Sequence, residues 1–499
     1  MQRRAGPRTR SPIEPGEIIQ TQLKTKTGHI HLLGIGGAAM APVAGMLKER
    51  GYTVTGSDTG VYPPASTLLT SLGIPWKNGY RAENLRPTPD LVVVGNAISR
   101  GNPELEAVLD EKIPYCSMPQ IIENYFLLGH NCIVIAGTHG KTTTTAMLSW
   151  IFHAANRRPN FLIGGVVPNF GDRSYGLGGG EDFIIEGDEY DSAYFDKAPK
   201  FLHYHPDELI LTSLEFDHAD IYPDLAAIEL QFQRLVNLVP RRGRILVWGE
   251  AAKLVACTAK AFCAVERYGL TPEMDWHAGD IEWRDGMTHF RVIYHREEVA
   301  RVRMPLVGRH NVMNALACVA ISFHHAVECE AIEMALEKFQ GVRRRLEIKG
   351  ETNGITIVED FAHHPTAIRA TIEAARSRWP GRRLWVAFEP RSNTMRRNIL
   401  QRDLADALAM ADGAVLGPVN RPQLLTDEER MDPRAVAEAV RATGKRGEAL
   451  GSAAEIAEYL SPQLTSGDLV LVMSNGSFDG LCTRLAESIE HRSAAGKSR

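Results

Sequence analysis

The 499-residue sequence lacks several features that would define other classes of protein. No apolar stretch approaches the roughly 20 residues that a membrane-spanning helix needs. The seven cysteines are odd in number and none are spaced as CxxC, so scattered reduced thiols are favoured over a disulfide framework or a zinc site. A strong excess of one sign of charge is also absent, since the chain contains 56 Lys and Arg and 60 Asp and Glu. The sequence therefore predicts no membrane or nucleic-acid partner, and it gives no reason to infer an obligatory protein partner.

The composition is that of a globular protein, with 44% apolar and 23% charged residues. At roughly 150 residues per domain, the length suggests about three domains. Residues 1–27 are basic and no apolar segment follows them, so we expect a flexible tail rather than a secretory signal. The predicted domains are then residues 28–124, 125–345 and 346–490, followed by a tail at 491–499.

Each predicted domain alternates apolar strands with helices. The first opens with HIHLL, a glycine turn, a helix and a second strand, and the second opens with NCIVIAG and KTTTTAMLSWIFHAA. The third contains the apolar segments GITIVEDF, RRLWVAFEP and DLVLVMSN. Such alternation predicts parallel sheets. The expected fold class is α/β, with a Rossmann-like N-terminal domain, a central P-loop-type domain and a Rossmann-like C-terminal domain.

The strongest motif lies between a predicted strand and a predicted helix: Gly137, Thr138, His139, Gly140, Lys141 and Thr142. A glycine-rich turn at a helix start directs backbone N–H groups and the positive end of the helix towards a phosphate. Lys141 would reach the β- and γ-phosphates, and the Thr142 hydroxyl would bind Mg²⁺. Three residues separate Gly137 from Lys141, against five in the general P-loop pattern. The order of strand, loop, lysine, hydroxyl and helix nevertheless favours ATP binding over a chance helix start.

A second glycine turn lies near the start of the predicted first domain. GIGGAA matches G-x-G-x-x-A, and the next strand ends in two polar residues about twenty positions later. Such a turn suits a pyrophosphate, whether of a nicotinamide dinucleotide or of a UDP-sugar. Two phosphate sites on one chain favour ATP at the second and a diphosphate-bearing substrate at the first. The expected UDP-sugar contacts are Gly34, Gly36, Gly37, Ala38, Ser57 and Asp58.

Acidic residues and one histidine follow two predicted strands of the central domain. EDFIIEGDEYD ends with Glu186, Asp188, Glu189 and Asp191, and LTSLEFDHAD ends with Asp217, His218 and Asp220. Carboxylates and an imidazole at the carboxyl ends of parallel strands suit a crevice that holds Mg²⁺ against phosphates. The sequence therefore predicts metal ligands among these residues.

Seven stretches together resemble the Mur ligase family in that family's order: GIGGAAM, GTHGKTTTT, EGDEYD, LEFDHAD, GRHNVMNALA, GVRRRLE and EDFAHHPTAI. The resemblance runs from about residue 28 to about residue 485. It implies a UDP-sugar-binding first domain, a central domain for ATP and Mg²⁺, and a last domain that presents the incoming amine. It also implies a reaction in which ATP converts the carboxylate of UDP-N-acetylmuramate into an acyl phosphate, which the amine then attacks.

The resemblance assigns roles to individual residues. Metal ligands would be Thr142, Glu186 and His218, and Arg345 would contact phosphate, although Arg343 and Arg344 could replace it. ATP would contact residues 137–142, here called the phosphate loop, and Arg345. It would also contact Asn311 and Asn314 on the adenine side and Asp360 on the ribose side. The expected catalytic set is Lys141, Glu186, His218 and Arg345. No general base stands out; His139 and His218 are the candidates, and metal ligation would disqualify His218.

The amine substrate has two candidates, the tripeptide L-alanyl-γ-D-glutamyl-meso-diaminopimelate of peptidoglycan recycling and L-alanine. EYDSAYFDKAPKFLHYHPDELILTSLEFDHADIY, FEPRSNTMRR and VMSNGSFDGL resemble the tripeptide branch. The absence of lysine between Lys200 and Lys253 agrees with a muramate-binding ligase, since several other members carry a carbamylated lysine. Contacts to the diaminopimelate end are expected from Arg391, Ser392, Asn393 and Asn475. Two other functions stay open for the chain as a whole, a nicotinamide dehydrogenase and a noncatalytic UDP-sugar sensor. A cytoplasmic location is expected.

Overall fold

The computed structural model describes residues 28–497, which form two compact units. Residues 28–130 and 191–204 make the first unit, and residues 131–190 and 205–497 make the second. The tail predicted at residues 1–27 lies outside the described residues. The predicted tail at 491–499 is described as far as residue 497, where the last helix ends.

The first unit is built on a parallel sheet in the order β3-β2-β1-β4-β5. Its strands are β1 (His29–Leu33), β2 (Thr53–Asp58), β3 (Trp76–Asn78), β4 (Leu91–Val94) and β5 (Tyr115–Ser117). Its helices are α1 (Met40–Glu49), α2 (Ala65–Ser71), α3 (Pro103–Asp110) and α4 (Met118–Ile122), with a 3₁₀ turn at Ala82–Leu85 and a π-helical turn at Glu123–Leu127. The order of the first four strands is that of a Rossmann half-fold.

The second unit contains a ten-stranded sheet in the order β17-β16-β15-β14-β13-β12-β6-β9-β7-β8. Its strands are β6 (Asn131–Ala136), β7 (Asn160–Val167), β8 (Arg173–Leu177), β9 (Asp182–Gly187), β12 (Glu208–Leu211), β13 (Arg244–Trp248), β14 (Ala264–Gly269), β15 (Trp276–Arg284), β16 (Met287–Tyr294) and β17 (Glu297–Met304). Between β9 and β12 the chain forms a separate hairpin of β10 (Asp191–Ala193) and β11 (Asp196–Pro199). The associated helices are α5 (Lys141–Ala154), α6 (Leu225–Val236), α7 (Ala252–Cys257), α8 (Arg309–His324) and α9 (Cys329–Glu337), with a 3₁₀ turn at Pro168–Phe170.

The register of the middle strands places three loops at one edge of this sheet. Ala136 at the end of β6 pairs with Gly187 of β9 on one side and with Leu211 of β12 on the other. All three strands are parallel. The phosphate loop, the acidic segment after β9 and the segment that leads to His218 therefore leave the sheet side by side.

The β10–β11 hairpin belongs to the first unit although it lies within the range predicted for the central domain. Tyr194 packs against the apolar core of the first unit, and Phe201, in the 3₁₀ turn Lys200–His203 that follows, is fully buried. His203 contacts Asp196 at 2.8 Å and Glu123 at 3.4 Å. These contacts, absent from any local sequence pattern, set where the segment packs; the domain boundaries themselves stay a prediction.

A third sheet, also in the second unit, has the order β18-β19-β23-β20-β21-β22. Its strands are β18 (Glu347–Thr352), β19 (Ile355–Asp360), β20 (Leu384–Phe388), β21 (Gly413–Leu416), β22 (Arg446–Ala449) and β23 (Leu469–Met473), all parallel except β18. Its helices are α10 (Pro365–Arg378), α11 (Gln401–Leu408), α12 (Pro433–Ala442), α13 (Ala453–Leu460) and α14 (Leu481–Lys497), with 3₁₀ turns at Asn398–Leu400, Pro422–Leu424, Ser461–Gln463 and Phe478–Gly480. Apolar cores cover both faces of this sheet.

The predicted α/β class with parallel sheets is confirmed. All seven cysteines lie among the described residues and are free thiols, as their spacing predicts. Among residues 28–497 no helix combines the length and the apolar character that a bilayer crossing requires.

Candidate active site at the phosphate loop

The phosphate loop is held in shape by the segment that follows β12. Gly137 has a φ of 143° and Gly140 a φ of 83°, and a Cβ on Gly137 would meet Thr212 Oγ1 at 2.1 Å. Both positions therefore need glycine. Ser213 Oγ accepts a hydrogen bond from the His139 amide at 2.7 Å. The loop opens directly into α5, whose first residue is Lys141, so a helix N-terminus faces the site.

The Lys141 ammonium is committed to partners within the site. Its Nζ donates to Gly137 O and to Glu189 Oε2, both at 2.6 Å. Only 11% of the Lys141 side chain and 3% of the Glu189 side chain are exposed, so little solvent screens this pair. Burial opposes the charge of Lys141, but neighbouring carboxylates, led by Glu189, outweigh burial and raise its pKa. The lysine is thus a fixed cation at the phosphate loop.

Thr142 and Glu186 form the first oxygen pair that suits a metal ion. Thr142 Oγ1 donates to Glu186 Oε1 at 3.0 Å, and the Gly164 amide donates to Glu186 Oε2 at 2.8 Å. A Cβ at Gly164 would lie 2.6 Å from the same oxygen, so only glycine lets the strand approach so closely. Burial raises the pKa of Glu186, against the opposing effect of Lys141. A hydroxyl beside a carboxylate matches the preference of Mg²⁺ for oxygen ligands.

His218 belongs to a second group, together with Asp188 and Glu189, whose ligand atoms lie within 4.8 Å of one another. His218 Nε2 lies 3.2 Å from Glu189 Oε1. Burial disfavours protonation of His218, but the hydrogen bond to Glu189 and the charges of Glu189, Asp217 and Asp188 together outweigh it and raise the pKa to about 9. His218 also has a φ of 56°, a left-handed conformation that few non-glycine residues adopt. Two carboxylates and an imidazole could hold a second cation here.

Two acidic residues of the predicted metal segments have other roles in the structure. Asp191 accepts from Lys197 Nζ at 2.7 Å within the hairpin of the first unit. Asp220 accepts from the Tyr190 hydroxyl and, at 2.6 Å, from Asn393 Nδ2. Glu189 was one acid among several in the sequence pattern, and only its contacts with Lys141 and His218 single it out.

The asparagines predicted on the adenine side lie at the start of α8, next to the phosphate loop. Asn311 Nδ2 donates to Val307 O at 2.8 Å, and Asn314 Nδ2 donates to Asn311 Oδ1 at 3.3 Å. A Cβ on Gly140 would lie 2.7 Å from Asn314 Oδ1, so Asn314 lies directly against the loop. The structure therefore places both residues beside the phosphate loop, where the sequence predicted nucleotide contacts.

The structure separates the three consecutive arginines that the sequence leaves interchangeable. Arg343 pairs with Asp172 and Glu347, and Arg344 pairs with Glu359 at 2.8 Å. Arg345 lies over the Phe361 ring, with 5.2 Å from its Cζ to the ring centroid, and among the described residues it has no carboxylate within salt-bridge distance. The Arg345 guanidinium is therefore the one of the three that is available to an anion.

Asp360, predicted on the ribose side, is only 4% exposed and already bonded to backbone. Its carboxylate accepts from the Leu346 amide and from the Ala362 amide, each at 2.8 Å. Burial raises its pKa, while Arg345 acts in the opposite direction. Asp360 thus holds the segment that presents Arg345, and a ribose hydroxyl would have to share its oxygens.

A pocket of about 370 Å³ joins the histidine group to the loops of the third sheet. All four residues predicted to bind the peptide line it, namely Arg391, Ser392, Asn393 and Asn475. The other lining residues are Tyr190, Asp217, His218, His363, Arg396, Asn420 and Arg421. The volume lies in the range of roughly 300–1,000 Å³ that accommodates drug-sized ligands. One cavity therefore contains both the predicted metal-binding histidine and the predicted peptide residues.

His363 is a pocket residue that the sequence did not single out. Its Nδ1 lies 3.0 Å from Phe361 O. A carbonyl only accepts, so Nδ1 carries the proton and Nε2 of the neutral ring carries the lone pair. Asp217 Oδ2 lies 3.9 Å from Nε2, and Asp217 Oδ1 accepts from Thr394 Oγ1 at 2.5 Å. Burial lowers the pKa of His363. His363 is therefore equipped to accept a proton in the pocket.

His139, the other base candidate from the sequence, is occupied. Its Nε2 lies 2.8 Å from Glu215 Oε2, which His364 Nδ1 also approaches to 3.2 Å. Thr366 Oγ1 donates to the second oxygen of Glu215 at 2.9 Å. These contacts tie the phosphate loop to the start of α10, which is a structural role.

The glycine turn of the first unit uses most of its own N–H groups. The Gly34 and Ile35 amides donate to Ser57 O at 2.9 and 3.2 Å, and the Gly36 amide donates to Asp58 Oδ2 at 2.9 Å. The Gly37 amide donates to Gly34 O, and the Ser57 side chain is fully buried. Ser57 and Asp58 therefore support the turn, which leaves the amides of Ala38 and Ala39 at the start of α1 for an anion.

Three family models match successive parts of the chain. The Mur ligase family catalytic domain matches residues 29–126, the Mur ligase middle domain residues 178–322, and the Mur ligase glutamate ligase domain residues 344–476. The chain is 42% identical over 468 residues to UDP-N-acetylmuramate–L-alanyl-γ-D-glutamyl-meso-2,6-diaminoheptandioate ligase of Escherichia coli K12. The aligned region covers 93% of this chain and 99% of that protein.

Solved structures agree with this relationship. A murein peptide ligase from Psychrobacter arcticus is 37% identical, with a TM-score of 0.72 over 93% of this chain and 99% of that one. The UDP-N-acetylmuramate–alanine ligase of Thermotoga maritima has a TM-score of 0.78 at 22% identity, covering 94% of this chain and 100% of that one. The latter likeness shows the fold alone, so the shape of the chain does not separate the two amine substrates.

Proposed function

The chain belongs to the Mur ligase family, and on that premise we propose that it is an ATP-dependent ligase that joins L-alanyl-γ-D-glutamyl-meso-diaminopimelate to UDP-N-acetylmuramate. The proposal includes a cytoplasmic role in peptidoglycan recycling. The observation that carries it is the pocket that extends from His218 to Arg391, Asn393 and Asn475. At one end the pocket is lined by Asp217, His218 and His363, which face the reacting groups of the substrates. At the other end its wall is polar and suits a long substrate.

The first part of the reaction is the transfer of the γ-phosphoryl group of ATP to the lactyl carboxylate. Lys141 and Arg345 stabilise the charge on the transferring group, since Lys141 is a fixed cation of the phosphate loop and Arg345 presents a guanidinium over the Phe361 ring without a carboxylate partner. Thr142 and Glu186 would hold one Mg²⁺, and Asp188, Glu189 and His218 would hold a second. These ions, when bound, neutralise phosphate charge as the acyl phosphate forms.

The second part is the attack of the alanyl amine on the acyl phosphate, which releases phosphate. A protonated amine cannot attack, so a base must take its proton. His363 performs this step through Nε2, because Phe361 O holds the Nδ1 proton in place. Asp217, 3.9 Å away, stabilises the imidazolium that results.

The UDP-sugar would meet the glycine turn of the first unit. Gly34, Gly36 and Gly37 shape the turn, and Asp58 fixes it through the Gly36 amide. The pyrophosphate would accept from the amides of Ala38 and Ala39 at the N-terminus of α1, where the helix adds positive charge.

Mass spectrometry tests the proposal directly. The full chain is incubated with ATP, Mg²⁺ and UDP-N-acetylmuramate, together with either the tripeptide or L-alanine. We expect the muramyl tripeptide, ADP and phosphate, with little product from L-alanine. Product from L-alanine alone would assign the amino-acid-adding reaction instead. ATP hydrolysis without any amide product would indicate a sensor.

A further inference from the structure

The pocket has a basic wall of three arginines, and the proposed reaction assigns no role to two of them. Arg391, Arg396 and Arg421 all line it. Arg391 is partly neutralised by Glu389 at 3.3 Å, and Arg421 is exposed at the surface. Arg396 differs from both, because only 7% of it is exposed.

Arg396 is a buried cation without a carboxylate partner. Its Nη2 donates to Asn393 Oδ1, a neutral acceptor, and Asn393 in turn donates to Asp220. Its Nε is buried and has no acceptor, and across residues 28–497 no carboxylate comes within 4.0 Å of its guanidinium nitrogens. Burial lowers the pKa of Arg396, and the charges of Arg397 and Arg421 act in the same direction, while the carboxylate of Asp220, beyond salt-bridge distance, acts against them.

Leaving a buried cation without a carboxylate is costly, because burial removes its hydration and a hydrogen bond to one neutral acceptor replaces that hydration only in part. Arginine presents its donors in a planar fork that matches a carboxylate, so a carboxylate is the group that completes this site best. The same pocket contains the reverse deficit, since Asn475 Oδ1 is buried and accepts no hydrogen bond. A ligand that offers both a carboxylate and an N–H donor satisfies both residues. A peptide offers both groups.

We propose that Arg396 is the specificity residue that binds a carboxylate of the peptide beyond its alanyl residue, with Asn475 accepting from a peptide N–H. This inference rests on the proposed function and specifies how the substrate is chosen. L-Alanine has one carboxylate, one carbon from the attacking amine, whereas the tripeptide has further carboxylates on its glutamyl and diaminopimelyl residues. Arg396 therefore stabilises the bound tripeptide, whereas L-alanine has no further carboxylate for Arg396 to bind.

The test compares Arg396→Met and Arg396→Lys with Arg402→Met, an exposed arginine on α11. Calorimetric titration of the full chain with the free tripeptide measures binding, and steady-state kinetics measure the KM of each substrate. We expect Arg396→Met to weaken tripeptide binding about 10- to 100-fold, the loss typical of a hydrogen bond to a charged group. The KM for ATP and for UDP-N-acetylmuramate should stay unchanged. Arg396→Lys should recover part of the affinity, and Arg402→Met should behave as wild type.

A substrate variant covers the case in which Arg396→Met fails to fold. The wild-type chain is titrated with a tripeptide whose glutamyl and diaminopimelyl carboxylates are carboxamides, and we expect a similar loss of affinity. Unchanged affinity for that amide, or for Arg396→Met, would overturn the inference. The outcome is separable from the proposed function. If the wild-type protein binds tripeptide through Arg396 but forms no product, the inference stands and the proposed function fails. If the protein forms product and the Arg396 variants do so equally well, the proposed function stands and the inference fails.

Discussion

Lys141 Nζ lies 2.6 Å from Glu189 Oε2, and Glu189 Oε1 lies 3.2 Å from His218 Nε2. One buried carboxylate therefore links the phosphate-loop lysine to the proposed metal histidine. Burial opposes the charge on Glu189, but Lys141 and then His218 outweigh it and lower its pKa. A triphosphate that reaches the loop competes with Glu189 for Lys141.

Replacing Glu189 with Gln tests this competition. The amide keeps the shape and removes the negative charge, so without Mg²⁺ the affinity for ATP should rise about threefold to tenfold, the effect of one nearby charge. Turnover with Mg²⁺ should fall, because a cation ligand is lost. Fluorescent-nucleotide titration and ligase assays measure the two effects. Asp172→Asn, at an exposed surface pair with Arg343, is the control. Weaker ATP binding in metal-free buffer would contradict the idea.

Lys141→Ala should reduce ATP turnover by at least about 10²-fold, because the principal cation at the transferring phosphate is removed. The fold should persist, with a lower melting temperature, since Glu189 loses its ion-pair partner. In the double variant Lys141→Ala, Glu189→Gln the melting temperature should recover while turnover does not. Calorimetry and ADP release measure both. Full ligase activity in Lys141→Ala would refute the central assignment.

His363→Gln should lower kcat about 10²- to 10⁴-fold, the usual contribution of a general base. The KM values should change little, because His363 acts on the proton and not on binding. The rate of the variant should also rise with pH, as free amine replaces ammonium. His153→Gln, an exposed histidine on α5, is the matched control. A variant with the wild-type pH profile would show that the proton goes elsewhere.

A buried ionisable pair in the first unit predicts a stability effect. Glu104 is fully buried and accepts from His31 Nε2 at 2.7 Å, from Asn84 Nδ2 at 2.8 Å and from the Arg81 amide at 3.2 Å. Glu104→Leu leaves these donors unpaired and should lower the free energy of unfolding by about 3–5 kcal/mol. Glu111→Leu, which breaks the exposed pair with Arg86, should leave it nearly unchanged. Urea denaturation followed by circular dichroism compares the two variants, and equal midpoints would argue against the buried pair.

Part of the candidate site was predictable from local motifs and from the order of the strands. The phosphate loop from Gly137 to Thr142 is a local pattern, and parallel strands end at one edge, so Glu186 and His218 could be assigned to that edge. The sequence also indicated Arg391 and Asn393 after β20. Their shared pocket with His218, however, depends on the packing of two sheets that no local pattern describes.

The residues that sequence reasoning missed act through partners far along the chain. Glu189 was one acid in a run until its contact with Lys141, 48 residues away, distinguished it. His363 depends on a carbonyl two residues away for its tautomer and on Asp217 for its charge partner. Arg396 resembled any surface arginine in FEPRSNTMRR until its burial was known.

The amino-acid sequence by itself determined the α/β class, the family and the phosphate loop, because periodicity and short glycine motifs depend on neighbouring residues. Only the tertiary structure decided which of Arg343, Arg344 and Arg345 stays unpaired, how Ser57 and Asp58 use the glycine turn, and which arginine is buried without a carboxylate. Those outcomes depend on desolvation and on partners from distant segments, and these arise only when the chain has folded.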